Sequence, residues 1–215
     1  MAANRSMSSS GFLSRWILAC AVGEAVGLVF AGIVAAAAMP GAEATEDAMS
    51  WLGHGPMLLA GLLEGSSIGT AQWWALRGRV GTLRLGPFVS VTATAMALSW
   101  GMGSMMSLLE PAGPPSATFV LLVAALSGAG VGVIIGASQW LVLRRHGRAG
   151  LMWIGTTTGG WALGMTVQTI GASLLPAGPY EPVMALLGLV TGASTGLVLA
   201  LTTSPAVVRL VADTP

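Results

Sequence analysis

Charge is what this chain has least of. Only 8% of its 215 residues are charged, 54% are hydrophobic, and mean hydropathy is +0.79. A soluble domain carries about a quarter charged residues, so an ordinary water-facing surface is excluded and lipid is the expected solvent. Lysine is absent; all nine basic residues are arginine, a bias that reads as the mark of a GC-rich genome. Net charge is +1, which removes the electrostatic case for a nucleic-acid partner. The single cysteine, Cys20, excludes an internal disulfide and reads as a small buried hydrophobe. The two histidines, His54 and His146, fall at opposite ends of the expected spans. They cannot pair on a haem or a metal, and no metal site is expected.

Long apolar runs are abundant. A helix needs about 20 apolar residues to cross a hydrocarbon core of about 30 Å. Six segments reach that length: Leu13–Ala38, Pro56–Arg77, Leu85–Leu109, Ser116–Leu143, Gly150–Leu175 and Pro182–Thr203. Proline and glycine punctuate the connections, at Pro40-Gly41, Gly78, Pro111, Gly113-Pro114-Pro115, Gly147 and Pro176 to Pro182. The expected fold is all-α, a polytopic transmembrane bundle of six spans in one membrane domain, residues 1–215.

The charges set a direction. Arg5 and Arg15 flank the first span, Arg77, Arg79 and Arg84 the second connection, and Arg144, Arg145 and Arg148 the fourth; Arg209 follows the sixth span. The alternate connections carry Glu43, Glu46, Asp47, Glu110 and Glu181, with no basic residue. Positive loops stay in the cytoplasm, so both termini are expected inside a bacterial inner membrane. Trp16, Trp73, Trp74, Trp140 and Trp153 near the arginine end, and Trp51 near the other, read as interfacial anchors. Arg15 followed by an apolar run and Ala36-Ala37-Ala38 also has the look of a cleavable signal peptide. The run exceeds the usual 7–15 residues of such regions and contains Glu24, so an uncleaved span is expected.

The 31 glycines are patterned. The even spans carry ladders four residues apart: Gly61, Gly65, Gly69; Gly128, Gly132, Gly136; and Gly188, Gly192, Gly196. After Gly69 comes Gln72-Trp73 and Arg77; after Gly136 comes Gln139-Trp140 and Arg144. The odd spans align Trp16, Gly23-Glu24 and Gly27 with Trp153, Gly160-Trp161 and Gly164, and the third span offers Ser99-Trp100 and Gly103. The expected unit is a two-helix hairpin repeated in tandem, about 13–77, 85–144 and 150–203. A four-residue spacing stays on nearly one helix face, and such smooth strips let backbones approach closely in lipid. The ladders are expected to hold the hairpins against each other, the alternative being that one faces an outside protein or a flat lipid-like ligand; three could line one central axis, leaving little room for a wide pore. Gly128 to Gly136 is no phosphate loop, since it lies within a span and lacks the lysine.

The pattern G-W-x-x-G followed by G-x-x-Q-W-x-x-L-R, carried by Gly160 to Gly164, Gly69 to Arg77 and Gly136 to Arg144, resembles one in small bacterial polytopic membrane proteins without an assigned activity. The resemblance implies a membrane location. The first copy departs from it by placing Glu24 where tryptophan is expected.

Polar residues inside spans are the candidate site. Glu24 lies roughly 13 Å along its helix from Arg15, and Glu64 roughly 20 Å from Arg77, at 1.5 Å per residue. Both are mid-membrane acids in adjacent helices, and an intramembrane acid is by default a functional hypothesis. Two such carboxyls can share a proton or be bridged by a cation; alternatively Glu64 is glue, bonded to Thr92, Thr94, Thr156, Thr157 or Thr158. Gln72 and Gln139 recur one turn inside the arginine end, placed to bond across hairpins or to a headgroup; Gln168 lies toward the other end. Trp100 and Trp161 are packing bulk, or line a slot for a pigment or quinone.

No nucleophile has a base at a legible spacing, so a non-enzymatic protein is expected. The leading reading is an accessory or structural subunit packed against itself, membrane lipids or other integral membrane proteins. The alternatives are a small proton- or cation-coupled transporter or channel using Glu24 and Glu64, and a binder of an apolar cofactor, pigment or lipid between hairpins. No cofactor is required; a bound lipid or apolar pigment is compatible.

Overall fold

In lipid each backbone amide must be satisfied within its own segment, and a helix does this for a single chain stretch. The computed structural model describes residues 9–38, 54–106, 115–146, 149–174 and 181–212. They form six helices: α1 (Ser9–Ala38), α2 (His54–Leu76), α3 (Leu85–Met106), α4 (Ala117–Leu143), α5 (Gly150–Ser173) and α6 (Glu181–Ala212). Four of them, α1, α3, α4 and α6, hold stretches long and apolar enough to cross a membrane. The chain is an all-α membrane protein. Helices α2 and α5 are 23 and 24 residues long, but Glu64, Ser66, Ser67 and Gln72 in one and Thr156 to Thr158 and Gln168 in the other dilute their hydropathy.

The burial pattern inverts that of a soluble protein. Leu18, Phe30, Leu122, Leu126, Leu151 and Leu186 are exposed, whereas Glu24, Glu64, Gln72, Thr92, Gln139 and Thr157 are buried. Polar groups point inward because the outside offers them no partner.

The helices close a ring. Each packs on its sequence neighbours, and α6 returns to α1. The backbones of α2, α4 and α6 do not come together, so the three ladders do not share an axis as expected. Each ladder instead lies against the following helix. A Cβ on Gly61 would stand 2.6 Å from the Ala97 Cα, on Gly128 2.3 Å from the Trp161 carbonyl oxygen, and on Gly192 2.8 Å from the Ala25 Cα. One turn on, Gly65 faces Ala93, Gly132 faces Thr158, and a Cβ on Gly196 would stand 2.3 Å from the Cys20 carbonyl oxygen. Only hydrogen fits at these positions. Gly69 and Gly136 continue the strips against Thr92 and Thr157, each at 3.1 Å, whereas the nearest atoms to Gly188 are 3.9 Å away. Glycines on α1 and α5 serve the other interfaces: Gly27 stands on Glu64 at 3.0 Å and Gly164 on Thr195 at 2.8 Å. The thinnest contact in the ring is between α3 and α4.

Boundaries moved most at α6. The sequence predicts an end at Thr203, but the helix continues to Ala212 through Pro205. The extension buries Ala206, Val207 and Leu210 beside Trp16, Phe12 and Leu76, and that packing offsets the hydrogen bond proline removes. Helix α4 starts at the expected place because the Ser116 hydroxyl accepts from the Phe119 amide at 3.2 Å. Gly150 opens α5 with φ +44°, a backbone conformation natural to glycine.

The arginine-rich connections gather at one end. Arg15 donates to the Trp74 carbonyl and its guanidinium lies 3.9 Å from that ring. Thr82 and His146, in the two connections, are 3.0 Å apart. Trp51, Arg5, Arg148 and the acidic residues Glu43, Glu46, Asp47 and Glu110 lie outside the described residues.

Candidate functional site

Aromatic rings stop the arginine end of the ring. Trp16 and Trp153 are fully buried, edge to face with centroids 6.1 Å apart, and Phe88 is buried in the same cluster. The two tryptophans are therefore interior packing and not interfacial anchors as expected, because their helix faces turn into the ring. Trp73 and Trp140 are partly buried and Trp74 partly exposed.

Above this plug runs a girdle of amides. Gln139 donates to Gln72 Oε1 at 2.8 Å and to Thr92 Oγ1 at 3.2 Å; Gln72 in turn reaches the Cys20 sulfur at 3.8 Å. Four helices, α1 to α4, are joined by these bonds. On the other side Trp16 Nε1 donates to Thr203 Oγ1 at 3.1 Å. The recurring glutamines thus bond each other across the ring, with no part left for a headgroup. The girdle encloses a void of about 10 Å³, bounded by Ile68, Ile135, Leu199 and the residues around them.

Beyond the girdle lie the two acids. Glu24 and Glu64 are buried on facing turns of α1 and α2, where Glu64 packs against Gly27, one turn from Glu24. Trp100 Nε1 donates to Glu64 Oε2. That indole, and not a threonine, is the partner of Glu64: Thr92, Thr156, Thr157 and Thr158 each donate to a carbonyl one turn back in their own helix. Neither oxygen of Glu24 has a hydrogen-bonding partner of ordinary geometry, although the residue is 0% exposed.

A cavity of about 370 Å³ opens above Glu64, between α2, α3, α4 and α5. Met96, Trp100, Val131, Trp161 and Met165 make its apolar wall, and Glu64, Ser99 and Gln168 contribute polar groups. Gln168 Nε2 is buried there without a partner. The cavity extends to Met57 and Gly103, near the helix ends remote from the arginines. Sequence reasoning singled out Glu64, Trp100 and Trp161 separately, and folding brings all three to one cavity. It missed the methionines, which carry no periodic signal, and the link from Gln168 to Glu64, which lie on opposite sides of the ring. Among the described residues no three His, Cys, Asp or Glu side chains cluster as metal ligands.

Comparison with family models, with curated proteins and with solved structures finds no match for this chain in any of the three.

Proposed function

We propose that this protein is a non-enzymatic, six-span bacterial inner-membrane protein with cytoplasmic termini, which binds an apolar small molecule or lipid in the cavity above Glu64. The observation that carries the reading is the cavity itself. Ligand sites are concave, mostly apolar, of roughly 300–1,000 Å³, with a few convergent polar groups. Here methionines, tryptophans and valine supply the wall, and Glu64, Ser99 and Gln168 converge on it. Gln168 Nε2 is buried at that cavity without a partner, and a ligand group that accepts from it would recover about 1–3 kcal/mol.

The ring is read as three related helix pairs. In support, equivalent ladder glycines meet equivalent backbone: Gly61 lies on Met96, Gly128 on Trp161 and Gly192 on Glu24. This register sets Met96, not Trp100, level with Trp161, and Gly192, not Gly188, level with Gly61. It also aligns Gln72 and Gln139 with Thr203. Six spans are supported by the antiparallel closure of the ring, in which α2 and α5 sit between helices apolar enough to cross.

The test is native mass spectrometry after mild-detergent extraction. A small-molecule or lipid adduct should be retained by the wild type and lost in Val131→Trp, which fills the cavity. Recovery of a protein partner without any small molecule, together with failure of apolar probes to bind, would return the accessory-subunit reading to first place. Burial of Glu24 and Glu64 on facing turns of α1 and α2 favours proton- or cation-coupled transport as a second reading, for which flux in proteoliposomes is the measurement.

A further inference from the structure

The fold does not need the two carboxyls. Glu24 presents its backbone to Gly192 as Met96 does to Gly61 and Trp161 to Gly128. Glu64 supports Gly27 as Thr195 supports Gly164, and Val131 stands at the same spacing from its ladder. Met96 and Trp161 thus make the packing of Glu24, and Thr195 that of Glu64, with uncharged side chains. An acid at both positions of one pair is a local departure, and it is expensive in lipid.

The departure is aimed at the cavity. Glu64 lines it, and Glu24, on the facing turn of α1, is wholly buried with no hydrogen-bond partner for its oxygens. Basic residues do not offset the pair. Helices α3, α4 and α5 contain no titratable residue, α6 has only Glu181 and Arg209 near its ends, and α2 adds only His54 at its first residue. On α1 the other titratable groups are Cys20, one turn away, and Arg15, bonded to Trp74 at the arginine end.

Resting on the ligand-binding reading above, we infer that the cavity takes an apolar molecule carrying one protonated amine, whose ammonium group seats on Glu64 in exchange for the proton held by the Glu24–Glu64 pair. The balance is simple. One ammonium enters, the pair releases one proton, and the site keeps its charge; no covalent bond forms or breaks. The wall selects an organic ion over a hydrated metal ion. Besides Glu64 only Ser99 and Gln168 carry side-chain oxygens there, Met96, Met165 and Val131 offer none, and the rings of Trp100 and Trp161 are of a kind that attracts alkylammonium groups.

The experiment uses the full chain in lipid nanodiscs with two probes, 4-phenylbutylammonium and uncharged 4-phenylbutanol. The charged probe should bind at least about tenfold tighter, with one proton released per molecule bound in weak buffer. Because ligand and proton compete, its affinity should rise about tenfold per pH unit while the pair remains protonated, and then level off. In Glu64→Gln the preference for the charged probe should fall to about one. Should that variant fail to fold, proton release by the wild type decides alone. Equal binding of both probes without proton release overturns the amine assignment and leaves the cavity reading standing. Binding of neither probe overturns both. Displacement of the charged probe by an equal concentration of potassium overturns it in favour of an inorganic cation.

Discussion

Single atoms decide the packing of this ring. A methyl group on Gly128 or Gly196 would stand 2.3 Å from a backbone carbonyl oxygen of the next helix, whereas Gly130 has open space around it. Gly128→Ala and Gly196→Ala should each cost about 1–3 kcal/mol by overpacking, read as a fall in the unfolding midpoint in mild detergent. Gly130→Ala should be neutral or gain up to about 1 kcal/mol, since alanine is the better helix former. The amide girdle makes a second test. Gln139→Leu leaves Gln72 Oε1 without the donor it has now and should cost about 1–2 kcal/mol. Adding Gln72→Leu should recover part of that loss, and additive losses in the double variant would refute direct coupling. The individual residues were largely legible in the sequence. A buried acid, a repeated glutamine and a ladder glycine are each costly or unusual enough in lipid to advertise themselves.

At the scale of helices, legibility was partial, and the reason is register. Sequence similarity pairs tryptophan with tryptophan, so Trp100 looks level with Trp161. Packing pairs whatever backbone the ladder glycine touches, and that places Met96 there. The same one-turn slip separates Gly188 from the working strip of α6. Gly188→Ala should therefore be tolerated within about 0.5 kcal/mol, while Gly192→Ala, with a Cβ 2.8 Å from Ala25, should destabilise markedly in the same detergent melt. Equal effects would restore the register read from the ladder spacing alone. The tryptophans near the arginine end misled for a related cause: distance along a helix places a ring at the interface, but only the helix face says whether it looks at lipid. Trp16 and Trp153 look inward. Of the cavity only the slot beside Trp100 and Trp161 was legible, because its walls come from four helices whose order in the ring no local pattern encodes.

For the whole molecule, the distribution of arginine becomes a statement about sidedness. Thr82 and His146 hold the two arginine-rich connections together, and the positive-inside bias assigns that end to the cytoplasm. Native Cys20 is buried, so introduced cysteines report without much background. A membrane-impermeant maleimide should label Ser116→Cys in intact spheroplasts and label Thr82→Cys only after the membrane is opened. The opposite result would invert the topology and place the cavity mouth in the cytoplasm.

The sparse contact between α3 and α4 has a consequence for supply. A molecule dissolved among acyl chains meets the cavity sideways, through the one join in the ring where little has to be parted. What fills such a site is set by partitioning into the bilayer before it is set by affinity. Occupancy should therefore track moles of ligand per mole of lipid, and adding empty vesicles at a fixed total amount of ligand should drain the protein.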